Sequence, residues 1–147
     1  MSKTYISTAL RKLVSQRAQD ICEYCLMPEI VSFSVHHIDH IIAEKHGGET
    51  EESNLALACL ICNKHKGSDI ASIDPETQNI VPLFHPRNDI WTAHFRLENN
   101  GKIEGLTAIG RVTAKLLKFN TVEKMNERFL WQGTELQQLV EHYLNQR

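Results

Sequence analysis

Two Cys-x-x-Cys pairs, Cys22/Cys25 and Cys59/Cys62, account for all four cysteines of the chain and bracket a stretch that also holds Asp39-His40, Asn54 and Asn63. Two sulfurs spaced by two residues on a tight turn can reach one metal ion, and four thiolates make the soft, closed ligand set of a structural zinc. Zinc ligation is expected over two disulfides because the chain reads as cytoplasmic, where thiols stay reduced. No apolar run approaches a membrane span, and Met1 to Ile6 lacks the continuous apolar stretch of a secretion signal.

Between the cysteine pairs the donors turn from soft to hard. Histidine titrates near neutrality, so His40 can take a proton from water at working pH. Asp39 beside it offers an oxygen ligand of the kind Mg²⁺ or Mn²⁺ prefers. A base for water and a cation for charge developing on phosphate are what phosphodiester hydrolysis requires. Neighbours on a strand point to opposite sides, so the pair meets one phosphate only where the chain bends. Strand alternation puts His37 on the face of Asp39 and makes it an accessory candidate, with Lys66 a second. His36 reads as a structural strand histidine, His46 and His142 as solvated, and His65 as turned away from Asn63.

The run from Val35 to Gly67 resembles the HNH endonuclease family in Asp39-His40-Ile41, Gly47-Gly48, Asn54-Leu55 and Cys59-x-x-Cys62-Asn63-x-x-Lys66-Gly67. That resemblance implies a ββα-metal core and a divalent-metal-dependent DNA endonuclease in which zinc is purely structural. It makes His40 the general base, Asn54 the residue that fixes the loop and orients His40, and Asp39 with Asn63 the ligands of a catalytic Mg²⁺ or Mn²⁺. Ala43 departs from the family, which often has proline there; only backbone stiffness is expected to change. Pro82 to Arg87, Trp91-x-x-His94-Phe95 and Gly105 to Arg111 resemble the tails of small free-standing bacterial and phage members of the family.

The elements that must position these residues give an α+β chain, read as one domain over 1–147 with its nuclease core at 22–67. Helical spacing of Ala9, Leu10, Leu13, Val14, Ala18 and Ile21, with Ser7 as N-cap, predicts a helix over 7–21. Alternation predicts strands over 30–35 and 54–58, followed by a helix over 60–66 stopped by Gly67. In the extension over 80–147, a short strand is expected at 80–84. A hairpin over 94–106 is expected to turn at Asn99-Asn100-Gly101, and three helices start from Thr107, Thr121 and Thr134.

The net charge of −2 is not the footprint of a protein that holds nucleic acid by charge alone. Residues 31–70 carry three lysines against six acids, whereas residues 101–147 carry seven lysines and arginines against five acids. Phosphate contacts are therefore expected from the flanking segments. Arg11, Lys12 and Arg17 are candidates on the N-terminal helix. His85, Arg87, His94 and Arg111 are candidates in the tail, weighed against a secondary core of Trp91, Phe95 and Leu97. No helix shows a base-reading set, so the expected partner is double-stranded DNA read with little sequence preference. Two other readings stay open. An RNA nuclease would use the same chemistry, and a non-catalytic zinc-knuckle binding module would have no use for the Asp-His step or Asn63.

Overall fold

The computed structural model describes residues 4–147. Helix α1, Thr8–Arg17, starts where the Ser7 side chain accepts the Leu10 N–H at 3.1 Å, as the cap pattern implies. It stops short of the expected 7–21 because Gln19 and Asp20 adopt left-handed φ of 54° and 57°, which turns the chain into the first cysteine pair. Val14 and Ala18 of this segment pack on Leu55 and Leu57.

Strand β1, His37–His40, pairs antiparallel with β2, Leu55–Ala58, with His37 opposite Ala58, Asp39 opposite Ala56 and His40 opposite Leu55. Alternation gives the two faces separate jobs. Ile38, Leu55 and Leu57 meet α1, while Ala56 and Ala58 join the core around the cysteines. Helix α2, Leu60–Lys66, follows at once and ends at Gly67, whose φ of 51° closes it with an N–H bond to the Asn63 carbonyl. Strand, loop, strand and helix thus follow in the expected ββα order.

The strand expected over 30–35 does not form. Glu29–Val31 is a single 3-10 turn, and Val31, Phe33 and Val35 all lie exposed. The β1–β2 register runs out at His37 and Ala58 because the next residue of β2 is Cys59, already committed to the cap of α2. Side chains satisfy the unpaired backbone instead: Glu29 accepts the His36 N–H, and Ser32 accepts the Ser34 N–H.

After Gly67, β3, Ala71–Ile73, pairs with β4, Ile80–Pro82, and β5, Phe95–Leu97, pairs with β6, Ile103–Gly105, across the expected Asn-Asn-Gly turn. The partner β3 carries no strong alternating signal of its own, and β4 ends at Pro82, short of the expected residue 84. Helix α3 is Trp91–His94; α4, α5 and α6 are Ala108–Leu116, Val122–Trp131 and Glu135–Asn145. The last three start from Thr107, Thr121 and Thr134, whose hydroxyls accept the N–H of Gly110, Lys124 and Leu136. Gln137 reaches back to the Gly133 N–H, one residue earlier than a capping box would place it.

The ring of Phe95 is surrounded by those of Phe84, Trp91 and Phe119, with centroid separations of 5.0 to 5.5 Å. This cluster is continuous with the buried cysteines. Trp91 donates its indole N–H to the Tyr24 carbonyl at 2.9 Å, and Glu23, 1% exposed, accepts from the Leu57 N–H, the Tyr143 hydroxyl and Arg87. The tail is thereby bolted to the first cysteine turn by buried polar bonds as well as by apolar contact. Among the described residues, no helix is long and apolar enough to cross a membrane.

Candidate functional site

The sulfurs of Cys22, Cys25, Cys59 and Cys62 all lie within 4.8 Å of one another, and all four residues are buried. Cys25 and Cys59 are 3.7 Å apart, close to the separation of about 3.8 Å that tetrahedral zinc with bonds of about 2.3 Å imposes on its sulfurs. Each Cys-x-x-Cys turn aims a backbone N–H at its first sulfur: Cys25 N–H at Cys22, 3.5 Å, and Cys62 N–H at Cys59, 3.4 Å. Burial pushes the thiols of Cys22 and Cys62 up, whereas hydrogen bonds from the neighbouring thiols hold Cys25 down.

A residue that sequence reasoning missed completes this centre. Lys124 of α5 is buried and donates to the Cys62 sulfur at 3.4 Å. Burial alone would lower its pKa, but the surrounding thiolates hold it above the usual lysine value. Four thiolates around a bound dication would leave a net double negative charge in the core, of which this ammonium would offset half.

The second cluster lies on the α2 side of β1. Asp39, 4% exposed, accepts the Tyr24 hydroxyl on Oδ2 at 2.7 Å and lies 3.2 Å from the Lys66 ammonium. Its Oδ1 faces the Asn63 amide at 3.4 Å. Burial raises the Asp39 pKa, and it outweighs the opposing pull of the Lys66 ammonium and the Tyr24 hydroxyl. Lys66 also donates to the His40 carbonyl at 3.0 Å, which ties the end of β1 to α2. Asp39 Oδ1, to which Lys66 also donates at 3.4 Å, and the Asn63 side-chain oxygen, were the amide turned end for end, would be the hard oxygen atoms that could hold a divalent cation here.

His40 points elsewhere, as strand alternation requires. Its Nε2 lies 2.8 Å from the Thr50 hydroxyl and 3.6 Å from Glu44. Thr50 in turn donates to Glu44 at 3.4 Å, which links the three side chains. Both partners sit in the loop between β1 and β2, and Asn54 shapes that loop. Its Oδ1 accepts the Ile42 N–H at 2.9 Å, and its Nδ2 donates to the carbonyls of Ile42 and Glu49 at 2.9 and 2.8 Å. Gly48 passes so close that a Cβ there would sit 1.7 Å from the Ile42 oxygen.

Several candidates from the sequence turn out to be structural. His36 bonds the Met27 carbonyl at 2.7 Å. Arg17 donates to the carbonyls of Glu52 and Leu55 at the start of β2. Arg87 pairs with Glu23, Arg111 with Asp74, and His94 with the Thr107 hydroxyl. His85 accepts the N–H groups of Arg87 and Asn88 on Nδ1, and its pKa is lowered chiefly by burial. His37 is half-buried on the Asp39 side of β1 and joins none of these bonds. His46 and His142 are exposed, as expected. Tyr24, Glu44 and Thr50 went unread: Tyr24 is an apolar knuckle residue by type, and Glu44 and Thr50 belong to an acidic loop with no distinguishing spacing.

Comparison with known families and proteins matches residues 22–69, about a third of the chain, to the family model described as HNH endonuclease. No curated protein and no solved structure matches the chain.

Proposed function

Taking residues 22–69 as an HNH endonuclease domain, we propose that this protein hydrolyses DNA phosphodiester bonds with a divalent cation, His40 serving as general base. The observation that carries the reading is the division of the segment into two centres of opposite softness: four buried sulfurs at its ends, and between them Asp39 with Asn63 on one face of β1 and His40 with Thr50 and Glu44 on the other. A binding module would need only the first.

In this reading the sulfurs hold a structural zinc, which staples the first cysteine turn to α2 and contributes folding free energy. Asp39 and Asn63 hold Mg²⁺ or Mn²⁺, and a cation there supplies charge stabilisation to the phosphate and the leaving oxygen. The rest of the work belongs to the chain. Thr50 holds the His40 ring by Nε2, leaving Nδ1 to take the proton of the attacking water. Glu44 stabilises the imidazolium that forms. Asn54 keeps the loop that carries both residues in register with β1. Lys66 balances the Asp39 charge and locks the strand end to α2.

Plasmid cleavage with Mg²⁺ or Mn²⁺, run on wild type and His40→Ala alongside an RNA of matched sequence, tests the proposal. Loss of the base is expected to slow DNA cutting by about 10²- to 10⁴-fold. Equal cutting by both proteins, no cutting by wild type with any divalent metal, or preference for RNA would overturn it.

A further inference from the structure

Tyr24 lies inside the first Cys-x-x-Cys turn, yet its side chain ends on the oxygen cluster and not on the sulfurs. Its hydroxyl donates to Asp39 Oδ2 at 2.7 Å, the shortest of the contacts that this carboxylate makes. The phenol is not free to follow the carboxylate if it turns. Tyr24 is fully buried, its carbonyl accepts the Trp91 indole N–H at 2.9 Å, and its neighbours Glu23 and Cys25 are bonded to the Leu57 N–H and the Cys22 sulfur.

A carboxylate has two equivalent oxygens, and a buried one presents a defined oxygen to an ion only when its neighbours distinguish them. Lys66 does not. Its ammonium lies 3.2 Å from Oδ2 and 3.4 Å from Oδ1, and takes the His40 carbonyl as a third partner. Tyr24 breaks that symmetry. Oδ2 carries the short bond, whereas Oδ1 keeps two contacts of 3.4 Å, from Asn63 and Lys66, longer than the usual N–H···O separation of about 2.9 Å. The weakly engaged oxygen is therefore the one that faces Asn63.

We propose that Tyr24 is a positioning residue for a divalent cation at Asp39 and Asn63: by holding Oδ2, its hydroxyl presents Oδ1 towards the Asn63 side chain. One turn then serves both centres, with Cys22 and Cys25 facing the sulfur site and Tyr24 the oxygen site. The inference rests on the nuclease reading for the existence of the cation site. A merely structural bond would change stability on removal and leave cation affinity as it was.

The test is Mn²⁺ affinity, read on the intact, zinc-loaded protein from the loss of the free-ion electron paramagnetic resonance signal. Zinc content and circular dichroism establish the fold of each variant. Tyr24→Phe keeps the ring, removes only the hydroxyl, and is expected to weaken Mn²⁺ binding by about 10- to 100-fold, the range seen when a metal ligand loses its hydrogen-bond partner. Tyr143→Phe removes another buried hydroxyl from the same turn, the one that donates to Glu23 at 3.0 Å, and is expected to leave the affinity unchanged. Asn63→Ala, which deletes a proposed ligand, is expected to weaken binding. A measurement on wild type needs no Tyr24 variant to fold. With tyrosine labelled by ¹³C at Cζ, the chain gives three resonances, and Tyr24 is assigned by elimination with Tyr5→Phe and Tyr143→Phe. Saturating Mg²⁺ is expected to shift the Tyr24 resonance, because the cation withdraws charge from the carboxylate that accepts its hydrogen bond.

Unchanged Mn²⁺ affinity in Tyr24→Phe, an equal loss in Tyr143→Phe, or an unmoved Tyr24 resonance, while Asn63→Ala still weakens binding, would overturn the inference and leave the nuclease reading standing. No Mn²⁺ binding by wild type, or binding indifferent to Asn63→Ala, would remove the cation site on which both depend.

Discussion

Gly47 and Gly48 are adjacent and chemically identical, yet alanine is expected to cost very different amounts at the two positions. At Gly48 an added Cβ would lie 1.7 Å from the Ile42 oxygen, 2.6 Å from its carbon and 2.8 Å from Asn54 Nδ2. Backbone atoms cannot swing aside, so the loop must lift off Asn54 and give up the three side-chain bonds to Ile42 and Glu49. At about 1 kcal/mol for each of the three bonds, with a further 1 to 3 kcal/mol for leaving a buried amide unsatisfied, Gly48→Ala should cost about 4 to 6 kcal/mol. In a chain of 147 residues this lowers Tm by roughly 15 °C. At Gly47 nothing lies within 4 Å of the added atom, and only the left-handed φ of 89° opposes it, a cost of about 1 to 2 kcal/mol and roughly 5 °C. Thermal and urea denaturation of the two metal-loaded variants decide the matter. If Gly48→Ala is no less stable than Gly47→Ala, the role assigned to Asn54 as organiser of the loop is wrong. Because Thr50 and Glu44 move with that loop, Gly48→Ala should also depress any cleavage activity more than Gly47→Ala does.

Cys59→Ser should abolish metal retention and unfold the segment from Cys22 to Gly67, since the four sulfurs converge on one centre; elemental analysis with circular dichroism checks this, and native stability without bound metal would refute it. Glu23→Gln should destabilise by about 3 kcal/mol, because the buried carboxylate partners Arg87, Tyr143 and the Leu57 N–H together. Its denaturant midpoint against wild type is the measurement, and a change within experimental error would show that the tail is not bolted to the knuckle through this residue. Asp74 is held well below the usual carboxylate pKa, first by its hydrogen bonds from Arg111. Its stabilising contribution is therefore present above the ordinary aspartate value of 3.8 and lost as pH falls through the depressed folded value. The stability gap between wild type and Asp74→Asn should accordingly be full at neutral pH and shrink below about pH 4; a gap that stays constant down to strong acid would contradict the Arg111 pairing.

Much of the candidate site was legible because it is local. A Cys-x-x-Cys turn, a serine or threonine cap, a glycine that stops a helix and the Asn-Gly turn all act within four residues, so residue type and spacing specify them. The order strand, loop, strand, helix follows from the same local rules, but the strand that carries Asp39 and His40 is His37–His40 and not the expected 30–35. The strand expected over 30–35 shows where that logic ends: alternation marks a segment able to pair, but pairing needs a partner, and β2 had already turned into α2 at Cys59.

What the residues determined by themselves was thus the inventory of chemistry: a soft sulfur set, a hard oxygen pair, a histidine and an acidic loop. Which partners each would find was settled only in three dimensions, because the contacts span the chain. Glu23 meets Tyr143 across 120 positions, Lys124 meets Cys62 across 62, and Tyr24 meets Asp39 across 15. Burial decides these pairings, since a charge removed from water must find an opposite charge or a hydrogen bond wherever the fold offers one. The same rule withdrew Arg17, Arg87 and Arg111 from the surface.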